Sequence, residues 1–84
     1  MKTIVDEIRA ILGQSLQLGA RADKLQADSP LLGNLPELDS MAVVNVITAL
    51  EEQYSLIFDD DEISAEIFET LGGLASFVEQ KIHS

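Results

Sequence analysis

The sequence predicts an all-α fold: a small four-helix bundle of three longer helices and a short third one, with a long loop between helices one and two. Three observations carry that prediction. Apolar residues recur at the three- and four-residue spacings of a helical face in three separate stretches. Each stretch follows a residue, Thr3, Asp39 or Thr70, whose side-chain oxygen can accept a first-turn backbone N–H. Helices apolar on one side are satisfied only by packing together, and 84 residues suffice for one such domain, residues 1–84.

In chain order, Thr3 and Asp6 have the spacing of a capping box, and Ile4, Ile8, Ile11 and Leu12 follow on one face. The first helix therefore begins there and ends between Gly13 and Gly19. From Gly19 to Leu38 the glycines, Ser29-Pro30 and Leu35-Pro36 oppose a continuous helix. Leu25, Leu31, Leu32 and Leu35 are too apolar for a free linker, so a long loop pinned to the core is expected. Loops of that length are uncommon in compact domains unless they are functional. The second helix runs from Ser40 to about Tyr54, with Val43, Val46, Ile47, Leu50 and Tyr54 as its stripe. Valine and isoleucine between Met41 and Ile47 also suit a strand, but alternation fails and Ala49-Leu50-Glu51-Glu52 restores the helix. After Asp59-Asp60-Asp61-Glu62, Ser64 caps a short third helix through Phe68. Thr70 caps a fourth, whose Leu71, Leu74, Ala75, Val78 and Ile82 form another stripe and whose first turn is weakened by Gly72 and Gly73.

Composition bounds the function. Hydrophobic residues make up 46% of the chain, enough for a core and unlike a disordered segment. No run approaches the roughly 20 apolar residues that cross a bilayer. The charged N-terminus (Lys2, Asp6, Glu7, Arg9) lacks a secretory apolar region, so a cytoplasmic protein without a membrane span is expected. The absence of cysteine removes disulfides, thiolate metal sites and a cysteine nucleophile, and any thiol chemistry must use an imported group. The net charge is −10, and the five basic residues are Lys2, Arg9, Arg21, Lys24 and Lys81, which leaves twelve carboxylates and no cation between Leu25 and Gln80. That field repels nucleic-acid phosphates and attracts basic protein surfaces, so nucleic acid is not an expected partner. A strongly negative surface also disfavours self-association, and a monomer is the expected state.

The segment Leu38-Asp39-Ser40-Met41 carries the candidate chemistry. With Asp39 as N-cap, Ser40 falls on the first turn, where its hydroxyl can project into solvent and the positive end of the helix dipole favours an attached anion such as a phosphodiester. An ordinary first-turn serine is the competing reading of the Asp-Ser pair alone. A serine hydrolase would need a base within reach, and the lone histidine, His83, lies next to the C-terminus, so no catalytic residue is assigned. Gly72-Gly73 lacks the spacing of a phosphate loop. The run Asp59–Glu62 fails as an EF-hand, because Ser64 stands where glycine is needed and Thr70 where glutamate is needed. A solvated loop with weak, nonspecific ion binding is expected there, and no metal site.

Asp39-Ser40-Met41, then Leu50-Glu51-Glu52-Gln53-Tyr54, an acidic loop and Thr70-Leu71-Gly72 together resemble the acyl carrier protein family, and the likeness covers most of the chain. In that family Asp-Ser-Leu or Asp-Ser-Met heads the second helix, and Leu-Glu-Glu-x-Phe/Tyr ends it. The resemblance implies a carrier-type bundle without catalysis of its own. It implies that Ser40 receives a 4'-phosphopantetheine arm from coenzyme A, attached by a phosphopantetheinyl transferase that supplies metal and base. The arm's thiol then carries cargo as a thioester. Asp39 and Met41 would flank the recognised serine. Met41, Val44, Asn45, Thr48 and Glu51 would meet partner enzymes with basic docking surfaces, namely acyl-activating ligases, synthases or acyltransferases. Ile47, Leu50 and Ile67 would wall a cargo cavity.

Asn45 replaces an acidic residue of the best-known fatty-acid carriers, Val44 and Thr48 make the face less charged, and Leu38 stands where many members have glycine or alanine. The stretch from Leu35 to Met41 looks like carriers encoded with exopolysaccharide or exosortase systems, which points to a specialised pathway rather than bulk fatty-acid synthesis. An aminoacyl, D-alanyl or peptidyl carrier, or an unmodified acidic interaction module docking through helix two, are the alternatives.

Overall fold

A computed structural model describes residues 3–83. Its α-helices are α1 (Ile4–Ser15), α2 (Ser40–Tyr54) and α3 (Leu71–Ile82), and its 3₁₀ turns lie at Gly19–Lys24, Asp60–Glu62 and Ala65–Phe68. The α1 start is the predicted capping box: Thr3 Oγ1 accepts the Asp6 N–H at 3.2 Å, and the Asp6 carboxylate accepts the Thr3 N–H at 3.2 Å. Both other caps are also as predicted, Asp39 for α2 and Thr70 for α3. The all-α bundle is the fold observed. Among the described residues the β-type pairing is confined to one isolated bridge, Pro30 with Thr70.

α1 is the element against which both other helices pack. Ile8 and Leu12 of α1, Val46 and Leu50 of α2, and Leu71, Leu74 and Val78 of α3 are fully buried, joined by Leu31 from the long loop and Phe68 from the Ala65–Phe68 turn. Burial of such side chains stabilises by about 1.5–3 kcal/mol each. Each predicted stripe thus supplies the centre of the core, while its outer members Ile4, Ile11, Val43 and Tyr54 are half-buried and Ile82, expected on the last stripe, is exposed at the end of α3. The Tyr54 hydroxyl donates to Glu7 Oε1 at 2.9 Å, joining the end of α2 to α1. Burial, followed by the neighbouring Glu7 carboxylate, pushes the Tyr54 phenol up to about 12.

The long loop is pinned as expected, but differently in detail. Leu25, Leu31 and Leu35 are buried, whereas Leu32 is 40% exposed. A 3₁₀ turn, Gly19–Lys24, folds back on α1 so closely that a side chain at Gly13 would sit 2.8 Å from the Ala22 Cβ. Arg9 ties the loop down as well, its Nε donating to the Leu25 carbonyl at 2.8 Å. The third helix is a single 3₁₀ turn, and Ser64 stands at its start in extended backbone without making a side-chain cap bond. The acidic run is not merely solvated. Glu62 is half-buried, accepts the Asp59 N–H at 3.0 Å and pairs with Lys81 Nζ at 2.7 Å. The Lys81 ammonium holds its carboxyl below the usual carboxylate range.

Candidate functional site

The chain just ahead of α2 is built to lift three residues onto the surface. Leu35 and Leu38 are buried, Ala42 is buried, and Asp39, Ser40 and Met41 between them are exposed. The approach is held by the Leu38 N–H donating to the Leu35 carbonyl at 3.0 Å and by an ion pair between Arg21 and Glu37. Asp39 adopts extended backbone (φ −105°, ψ −173°), and its Oδ1 accepts the Ala42 N–H at 2.8 Å. Ser40 is therefore the first residue of a 15-residue helix, with its hydroxyl at the positive end of the dipole. Among the described residues no hydrogen bond is made by the Ser40 and Met41 N–H groups, so donors suited to an anion remain at this helix end.

Beside Ser40 opens a cleft of about 520 Å³, lined by Asp39, Ser40, Leu32, Val43, Ile63 and Phe68 among others, and mainly apolar. It explains the exposure of Leu32, which is a cleft wall rather than a core anchor. A smaller hollow of about 220 Å³ adjoins it along α2.

Three comparisons bear on this geometry. The family model described as the phosphopantetheine attachment site matches residues 4–78. An acyl carrier protein of Sulfurovum sp. (strain NBC37-1) is 30% identical over 76 residues, covering 90% of this chain and 95% of that protein. The chain belongs to the acyl carrier protein family. Acyl carrier protein 3 of Ralstonia nicotianae (strain ATCC BAA-1114 / GMI1000) is 28% identical over 82 residues, 98% of this chain and 88% of that one. The solution NMR structure of a holo acyl carrier protein from Nitrosomonas europaea superposes with a TM-score of 0.90 at 61% identity, covering 100% of both chains.

As a family member, this protein carries cargo on phosphopantetheine. When bound, that group supplies a thiol, which a cysteine-free chain lacks. The residues present fit it: an exposed hydroxyl at a helix start whose first backbone donors have no partner among the described residues, next to an apolar cleft.

The partner-facing candidates are placed unequally. Met41, Val44, Asn45 and Thr48 are exposed, but Glu51 turns its carboxylate inward to accept the Phe58 N–H at 2.9 Å. Ile57, which sequence reasoning passed over, is 79% exposed next to Phe58. Of the cargo-wall candidates, Leu50 is fully buried in the core, Ile67 is half-buried and Ile47 borders the smaller hollow. The walls of the main cleft at Leu32, Ile63 and Phe68 were not singled out. Ile63 and Phe68 lie far from Ser40 in sequence, Leu32 sits in the preceding loop, and only the apolar character of the segments carrying them hints at the role. Among the described residues no cluster of three or more His, Cys, Asp or Glu side chains is arranged to hold a metal, and no helix is long and apolar enough to cross a membrane.

Proposed function

We propose that Ser40 Oγ is the atom to which phosphopantetheine is attached, and that the protein presents an acyl thioester to successive enzymes without catalysing a reaction itself. The single observation that carries this reading is the exposed Ser40 at a capped helix start whose first two backbone donors find no partner among the described residues. Attachment requires only that the hydroxyl reach the active site of a separate transferase, so no neighbouring base is needed. Asp39 contributes by fixing the helix start, and Met41 offers an exposed apolar contact beside the reacting oxygen. The apolar cleft favours an acyl chain over a polar aminoacyl load, since hydrocarbon gains from leaving water.

The docking face supports one class of pathway over another. Met41 and Val44 are 73% and 59% exposed, Asn45 and Thr48 are neutral, and Glu51 is engaged internally. Partners that rely on an acidic second helix find exposed carboxylates only at its two ends, Asp39 and Glu52, with a neutral stretch between them, which supports a specialised pathway rather than bulk fatty-acid synthesis. Its partners are then a phosphopantetheinyl transferase and an acyl-activating ligase, synthase or acyltransferase. A cytoplasmic monomer is the form this reading implies.

Incubation with coenzyme A and a broad-specificity phosphopantetheinyl transferase is expected to add one arm, read by intact mass, and Ser40→Ala to abolish the addition. A folded protein that gains no mass would overturn the assignment.

A further inference from the structure

We propose that Val43 and Ile63 form a septum that limits how far an acyl cargo runs along α2, with the smaller hollow behind them as the space a longer chain must open. The proposal rests on the reading of Ser40 as the arm-bearing residue. Val43 and Ile63 are the two side chains that line both the cleft at Ser40 and the adjoining hollow. Val43, Ile47 and Glu51 stand four residues apart on one face of α2, so the hollow continues the cleft along the helix axis. From Ser40 to Glu51 the axis rises about 16 Å at 1.5 Å per residue.

The construction at each end favours a tail entering from the Ser40 side. The cleft opens at the tether, so cargo held there reaches it first. The far end of the hollow is bordered by Glu51, whose Oε2 accepts the Phe58 N–H at 2.9 Å, and by Phe58, which is buried and stacked on Phe77 with ring centroids 5.3 Å apart. Ile63 is partly buried against the core, and the preceding residue Glu62 pairs with Lys81 of α3. Both septum side chains are β-branched and stiff at χ1, so they yield poorly to a chain pressed between them. A tail fitting the cleft lies against its apolar walls, and a longer one must displace the septum or leave its end in water.

The test uses the holo protein loaded with a graded series of saturated acyl groups, with thermal melting read against chain length. Intact mass is recorded first: a missing arm overturns the Ser40 reading and this proposal with it. In the parent protein the gain in melting temperature is expected to rise with chain length and then level off. Val43→Ala and Ile63→Ala should move the plateau to longer chains by about two and about three methylenes, the carbons each change removes. Val43→Leu, which adds bulk without opening the core, should move it to shorter chains. Amide NMR shifts at Thr48 and Phe58 should appear only with chains long enough to pass the septum. Fully loaded variants with an unmoved plateau would overturn the septum alone, as would shifts at Thr48 and Phe58 already present in the unloaded holo protein.

Discussion

At the start of α2, Asp39 accepts the N–H of Ala42 at 2.8 Å, and at the start of α3, Thr70 accepts that of Gly73 at 3.0 Å, three residues on in both cases. The two helices differ in what becomes of the next donors. In α3 the Leu71 N–H goes to the Ser29 carbonyl at 3.2 Å and the Gly72 N–H to the Ala27 carbonyl at 2.7 Å, so the long loop occupies that helix end. Leu71 is fully buried there. In α2 the equivalent residues are Ser40 and Met41, both exposed, with their N–H groups unused among the described residues. A capped helix start becomes a place for an incoming anion only when the rest of the fold leaves its donors to solvent.

The largest effect that would break this contrast is on modification. Ser40→Ala is expected to abolish arm attachment while changing stability by no more than about 0.5 kcal/mol, since an exposed first-turn hydroxyl holds nothing together. Intact mass and a denaturant melt check both halves, and a large loss of stability would show that the α2 start is structural after all.

The counterpart in α3 is Gly72→Ala. A Cβ there would lie 2.8 Å from the Ala27 backbone oxygen, so the loop must shift. The overpacking penalty of about 1–3 kcal/mol should outweigh the ~1 kcal/mol that alanine gains in helix propensity. Chemical denaturation measures it, and arm attachment should continue in the folded fraction.

Removing each cap sharpens the comparison further. Asp39→Ala and Thr70→Ala should each cost about 1 kcal/mol. Only Asp39→Ala should also slow arm attachment, because the proposed attachment site lies at that helix start alone. Equal attachment rates in the two variants would remove the functional distinction.

The last effects come from the far ends of the same helices and are read by pH. Tyr54, the last residue of α2, has its phenol raised from 10.0 to about 12. Its contribution is therefore complete below pH 10.0 and lost as pH climbs toward about 12, and Tyr54→Phe should flatten that alkaline limb of a melting-temperature profile. Glu62, paired with Lys81 near the end of α3, has its carboxyl lowered from 4.5. Its contribution is present above that value and lost as pH falls through the lowered one, and Glu62→Gln should remove part of the acid limb. Unchanged profiles would show that neither contact matters to folding.

Much of this molecule is legible in the chain because capping and helical periodicity act over three or four residues. Thr3, Asp39 and Thr70 announce their helices, the stripes through Ile8, Leu50 and Leu74 mark the buried faces, and Asp39-Ser40 marks the exposed hydroxyl. The short third helix was harder to read, since four residues from Ala65 to Phe68 form only a 3₁₀ turn whose position is held by Phe68 in the core. Leu32 was misplaced for a related reason: a leucine destined for a cleft wall is no different in sequence from one destined for the core.

The sequence by itself determined the three helices, their caps and the place of Ser40 at a helix start. Tertiary structure alone decided that loop carbonyls fill the α3 start and spare that of α2, that Leu32, Ile63 and Phe68 converge beside Ser40, and that Glu51 and Glu62 turn to internal partners. The physical reason is range: caps and stripes join residues within one or two turns, whereas clefts and anchored loops join residues that meet only after the chain has folded back on itself.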